Sequence, residues 1–125
     1  MIVAFASSTG EKIDQHFGWS KEFYLYRITK EGAVLLKTIN AETDFEDEHQ
    51  KLSYKIEAIG EADIMYCTQI GPKASQMVQA AGIHPVRVAE GEELKGSIDN
   101  IIEMLNTQPP MWLLRAFHKA NERGA

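Results

Sequence analysis

Ile2-Val3-Ala4-Phe5-Ala6-Ser7-Ser8-Thr9-Gly10-Glu11-Lys12-Ile13-Asp14-Gln15-His16-Phe17-Gly18 is the stretch on which the fold turns. Its first five residues are apolar without a break, the pattern of a strand buried on both faces. A Ser, Thr and Gly loop follows with no helical period. Backbone amides in such a loop can donate to an anion, and His16 offers a neutral imidazole nitrogen, the commonest protein metal ligand. These residue types suit an anionic metal species.

Working outward, residues 22–28 set Phe23, Leu25 and Arg27 against Tyr24, Tyr26 and Ile28 and predict a strand. Lys30-Glu31-Gly32 predicts a turn into a second strand over 33–39, giving a hairpin. Thr43 and Glu46 fit a capping box, and Phe45, His49, Leu52, Ile56 and Ile59 mark one face of a helix that stops near Gly60, with His49 on its apolar stripe. Residues 62–68 predict another buried strand. Pro72 opens a helix that Gly82 ends, 86–89 is a short strand, and Leu94, Ile98, Ile101, Ile102 and Leu105 stripe a third helix. Pro109-Pro110 breaks it, and 111–123 is a terminal helix fraying at Gly124.

Under the right-handed crossover rule this order predicts an α/β domain, a mixed five-stranded sheet flanked by helices. It forms one domain over 1–125, with the core sheet and its helices in 1–107 and a helical tail in 108–125. If the first strand and the two after the hairpin run parallel, a ligand belongs beyond their carboxyl ends. Three loops meet there, 7–18, 69–73 and 90–93, which brings His16 towards Cys67 and Gly71.

A chain of 125 residues, 44% hydrophobic and 25% charged, fits a single globular domain. Net charge of −5 argues against general nucleic-acid binding, which needs a basic face, and it repels anions at long range. An anionic cofactor must be met by local donors, of which Lys12, Lys73 and backbone amides are the candidates. The opening apolar run is short and has no basic segment ahead of it, so neither a signal peptide nor a membrane span is expected and the cytoplasm is the expected compartment. The single cysteine can make neither an internal disulfide nor a four-thiolate cluster site, so any iron-sulfur cluster would arrive preformed.

Further stretches carry a family resemblance: Cys67-Thr68-Gln69-Ile70-Gly71-Pro72-Lys73-Ala74, Ala81-Gly82-Ile83-His84-Pro85-Val86 and Pro109-Pro110-Met111-Trp112-Leu113. With the Asp14-Gln15-His16-Phe17-Gly18 motif they cover nearly the whole chain in one order. The chain resembles the dinitrogenase iron-molybdenum cofactor biosynthesis family, which includes NifX-type and NafY-type carriers and a domain appended to the NifB maturase. The resemblance implies the ribonuclease H-like version of the sheet. It implies non-catalytic, transient binding and delivery of an iron-sulfur nitrogenase cofactor or its precursor, of the FeMo-co, FeV-co or NifB-co type. Its implied partners are the scaffold and maturase proteins of cofactor assembly and apo-dinitrogenase, with no nucleic acid and no membrane. Lacking a three-cysteine radical-cluster motif and starting at the first strand, the chain is similar to the short NifX-type carriers.

In that setting His16 and Cys67 are the metal candidates, and Ser7, Ser8, Thr9, Gly10, Lys12, Gln15, Phe17, Gly71 and Lys73 the cofactor-binding candidates. Each has a plainer reading. His16 would otherwise be a loop histidine bonded to a turn carbonyl, and Cys67 an inert core thiol, since free cysteine is among the most buried residue types. Gly71-Pro72-Lys73 would be an ordinary proline-initiated helix start, although its free amides and the helix dipole also make an anion site. His49, on an amphipathic helix, is a second-rank candidate. His84 and His118 read as surface residues, Met111 and Trp112 as core packing.

Ser8-Thr9-Gly10 after a first strand also resembles the phosphate loop of a flavodoxin-like FMN-binding electron carrier, the alternative reading. The further threonine expected there is missing, and the hairpin breaks the strict β-α alternation of a flavodoxin. A ribonuclease H-like nuclease would need metal-binding carboxylates beginning on the first strand. Residues 2–6 hold none, and no Ser-His-Asp, P-loop or paired-cysteine zinc motif occurs.

Overall fold

The computed structural model describes residues 1–122. In chain order the strands are β1 (Ile2–Ala6), β2 (Lys12–Ile13), β3 (Glu22–Thr29), β4 (Gly32–Asn40), β5 (Ile64–Cys67), β6 (His84–Arg87) and β7 (Glu92–Glu93). The helices are α1 (Glu48–Ala58), α2 (Pro72–Ala80), α3 (Leu94–Asn106) and α4 (Met111–Glu122). The expected end of the last helix, at Arg123 and Gly124, lies outside the described residues.

Five strands form one sheet in the order β4-β3-β1-β5-β6. β1 is antiparallel to β3, and β3 to β4, as the hairpin requires. On its other side β1 runs parallel to β5, and β5 to β6. The mixed five-stranded sheet read from the sequence is therefore present, with its three parallel strands ending at one edge.

Strand period two divides the core. Ala4, Ala6, Met65 and Cys67 face α1 and α2, packing with Leu52, Ile56 and Val78. Val3, Phe5, Ile64 and Tyr66 face α3 and α4, packing with Leu94, Ile98, Ile101 and Leu113. This two-sided burial is why β1 is apolar at every position.

Several boundaries differ from expectation, each for a physical reason. α1 begins at Glu48, because the Asp47 carboxylate accepts from Gln50 N at 2.9 Å and caps it. Thr43 instead accepts from Phe45 N in a local turn. His49, in the first turn of this helix, is exposed, and Lys55 takes an inward position. β6 starts two residues earlier than the expected 86–89 and includes Pro85. An edge strand tolerates this: His84 N and Val88 N bond inward to Asp63 O and Cys67 O, so alternation turns the missing donor of Pro85 outward. His84 is consequently half-buried, its ring stacked on Trp112 at 4.9 Å, instead of lying at a surface turn. Met111, expected to pack, is 61% exposed.

The loop after β1 also carries unexpected order. β2 and β7 pair as a short antiparallel ribbon, Lys12 opposite Glu93, because Ile13 is fully buried in the α3-side core and pins the loop there. At the far side of the sheet β4 is an open edge, with Val34 63% and Leu35 47% exposed.

Candidate functional site

Beyond the carboxyl ends of β1 and β5 the chain makes a short 3-10 turn, Phe17–Trp19. Phe17 is fully buried against Phe23, which anchors the turn from below. Thr68 N donates to Gln15 O at 3.0 Å and Phe17 N to Gln69 O at 2.8 Å, so residues on either side of His16 are stitched to the segment leaving β5. The parallel strands thus bring two of the expected loops together. His16 holds the position before the turn in extended backbone (φ −69°, ψ 143°), and its side chain makes no capping bond. Its ring stacks on Trp19 at 4.5 Å and 13° between planes. Stacking covers one face of the half-buried imidazole, and its nitrogens lie in the ring plane, away from that face.

α2 starts opposite. Gly71 is its N-cap and supplies no side-chain acceptor, while Ser75 N bonds back to Gly71 O at 2.9 Å. Pro72 has no amide hydrogen, so the Lys73 and Ala74 amides are first-turn donors without an intrahelical acceptor. His16, Trp19, Gln69, Gly71, Lys73 and Arg87 share a cleft of about 300 Å³ that α1 closes with Glu48 and Leu52. Two exposed cations, Lys73 and Arg87, a helix N-terminus and an imidazole share this cleft with one carboxylate, Glu48, and the excess of positive charge suits an anion with a metal or hydrogen-bonding edge.

The structure divides the expected site. His16, Gly71 and Lys73 come together, with Gln15 and Phe17 contributing backbone. Ser7, Ser8, Thr9, Gly10 and Lys12 do not join them. Ser7 Oγ accepts from Gly10 N at 2.8 Å and Thr9 N at 3.3 Å, and donates to Lys12 O at 2.5 Å. Thr9 Oγ1 takes Glu11 N, and Asp14 takes both the amide and hydroxyl of Ser8. Burial pushes the Asp14 carboxyl up, but Ser8 and Gln15 outweigh it and hold it below the usual range. The expected anion cradle is thus corrected: its amides are consumed by side chains of the same loop and an aspartate charge sits beside them. The flavodoxin phosphate loop fails for the same reason.

Gly10 and Lys12 instead border a wider cavity of about 660 Å³ between β4 and α3. Despite its size, no His or Cys lines it, so the chemistry favours the smaller cleft. Cys67 lies beneath the turn, fully buried and outside the cleft wall. Burial pushes its thiol up to about 11, against Arg87 and the amides of Gln69 and Phe17. At neutral pH it is protonated. Among the described residues no group of three or more His, Cys, Asp and Glu is arranged to hold a metal ion.

Arg87, Trp19 and Glu48 were missed by the sequence reading, which placed Gln69 in a site loop without naming it among the binding residues. Arg87 carried a usable signal: with β6 over His84–Arg87 it ends the third parallel strand, where ligands gather. The strand expected over 86–89 buried that position in its middle.

Comparison with known proteins adds to this geometry. The family described as "Dinitrogenase iron-molybdenum cofactor" matches residues 1–104. The NifX protein of Herbaspirillum seropedicae is 35% identical over 98% of this chain and 86% of its own length. NifX of Azotobacter vinelandii is 33% identical over 94% of this chain and 75% of its own. The crystal structure of PH0822 superposes with a TM-score of 0.60 at 22% identity, covering 84% of this chain and 89% of that one, a likeness of fold.

Proposed function

This chain belongs to the dinitrogenase iron-molybdenum cofactor family, and from that premise we propose that it is a non-catalytic carrier for a FeMo-co-related cluster in nitrogenase cofactor biosynthesis. The observation that carries the reading is the convergence of His16, Lys73, Arg87 and the uncapped N-terminus of α2 on one cleft. The cluster is cargo, assembled elsewhere. His16 supplies a metal bond or a hydrogen bond at its ring edge. Lys73, Arg87 and the α2 amides offset the negative charge that the chain's own net charge of −5 would repel. Trp19 shields the imidazole from the solvent side. Cys67, buried, protonated and outside the cleft wall, is left as a core thiol, so the expected metal contact falls to His16 alone.

Few attachments suit a carrier, because cargo held by one imidazole and by charge can be surrendered to an acceptor that offers more ligands. The acceptors and donors are nitrogenase cofactor assembly proteins, a maturase or scaffold before the carrier and apo-dinitrogenase after it. The strand order β4-β3-β1-β5-β6 supports the ribonuclease H-like version of the fold. No helix among the described residues is long and apolar enough to cross a membrane.

The deciding experiment is anaerobic incubation with isolated iron-molybdenum cofactor, followed by gel filtration and iron analysis. Iron should elute with the protein. Iron that stays in the small-molecule fraction would end the carrier reading.

A further inference from the structure

Lys55 is 2% exposed and shares the inward face of α1 with Leu52 and Ile56. Its ammonium reaches two backbone carbonyls, Ser20 O and, at 3.1 Å, Ala41 O. Neither ion pair among the described residues involves it. Burial, and after it Lys51, lowers its pKa from 10.5 to about 8 against the pull of Glu42, so at neutral pH a charged group is held among apolar neighbours. A methionine would fill that space without the desolvation penalty.

What the ammonium grips explains its place. Ser20 closes the turn that begins at His16: its amide bonds Phe17 O at 3.4 Å and its hydroxyl bonds Glu22 O at 2.7 Å. α1, which carries Lys55, is also the opposite wall of the cleft through Glu48 and Leu52. Lys55 therefore spans the two walls from beneath. We propose that Lys55 is the positioning residue of the cargo cleft: by holding the Ser20 and Ala41 carbonyls it fixes the turn over residues 16–19 against α1 and sets where the His16 imidazole stands. The proposal rests on the carrier reading of that cleft.

The test uses the full chain with Trp112→Phe, which leaves Trp19 as the emitting tryptophan. This parent is compared with Lys55→Met and Lys55→Gln for thermal midpoint, Trp19 emission, the His16 imidazole resonances and anaerobic affinity for isolated iron-molybdenum cofactor. Lys55→Met should stay folded, with Trp19 emission and His16 resonances displaced before any cargo is added. Its cofactor affinity should fall at least about tenfold, with Lys55→Gln between it and the parent. Folded variants whose Trp19 and His16 signals match the parent overturn the proposal, and so do displaced signals with unchanged affinity. Failure of both variants to fold would make Lys55 a folding residue only and overturn it too. Failure of the parent to bind cofactor would sink the carrier reading instead, while the cargo-free signals still decide whether Lys55 positions the turn.

Discussion

Replacing His16 with alanine removes the imidazole of the cleft and the ring on which Trp19 stacks, while the backbone bonds from Phe17 N to Gln69 O and from Thr68 N to Gln15 O that hold the turn remain. The expected outcome is an unchanged circular dichroism spectrum and about a 10–100-fold loss of anaerobic cofactor affinity. Unchanged affinity would take His16 out of the site. Cys67 is tested by pH. Its thiol ionises at 9.0 in an unperturbed setting and at about 11 in the fold, so its contribution is complete below 9 and is lost as pH rises towards 11. Between pH 8.5 and 11 the wild type should therefore lose about 2–3 kcal/mol more stability than Cys67→Ala, measured by urea unfolding. Parallel losses in the two proteins would mean that the thiol ionises freely. The place of His16 was expected from its polar loop after a buried strand, and the fold sets it on the cleft wall, while its role as a ligand rests on the alanine test. Whether the sulfur of Cys67 faced the loop or the core depended on strand parity, which a lone cysteine at a strand end does not announce.

Among the elements, the N-terminus of α2 does the most for the cleft, and Lys73→Glu puts a carboxylate into it. Affinity for the anionic cofactor should fall about tenfold at low ionic strength and recover part of that loss at high salt. A loss of the same size at both salt levels would show that charge is not the cause. Pro72 at the first helical position made this start readable in the sequence. The loop over 7–14 was not readable in the same way. A Ser, Thr and Gly loop looks the same whether its amides point outward or are taken internally, and here the choice is made by Ser7 and by Asp14 reaching back to Ser8. The start of α1 was misplaced for a related reason: Thr43 and Asp47 both satisfy the cap pattern, and the carboxylate nearest the apolar stripe wins.

For the whole molecule, the family match ends at residue 104 while α4 lies beyond it, with Leu113, Ala116 and Ala120 buried on the face of the sheet away from α1 and α2. Ending the chain after Thr107 should lower stability by on the order of 3–5 kcal/mol from lost apolar burial, seen in the urea midpoint. No wall of the cleft comes from α4, so cofactor affinity of the folded fraction should hold. A parallel drop in affinity would place α4 in the site. The sheet itself was legible at this scale, because five apolar or alternating runs and one tight turn leave few ways to pair. The two rims of that sheet are unequal. β6 is four residues long and turns a proline outward, whereas β4 runs nine residues with its backbone unpaired on the outer side. Fibrous growth by strand addition needs two receptive rims on every molecule, and this sheet offers one. Two copies that join through β4 consume the receptive rim of both, so assembly by that route stops at a pair.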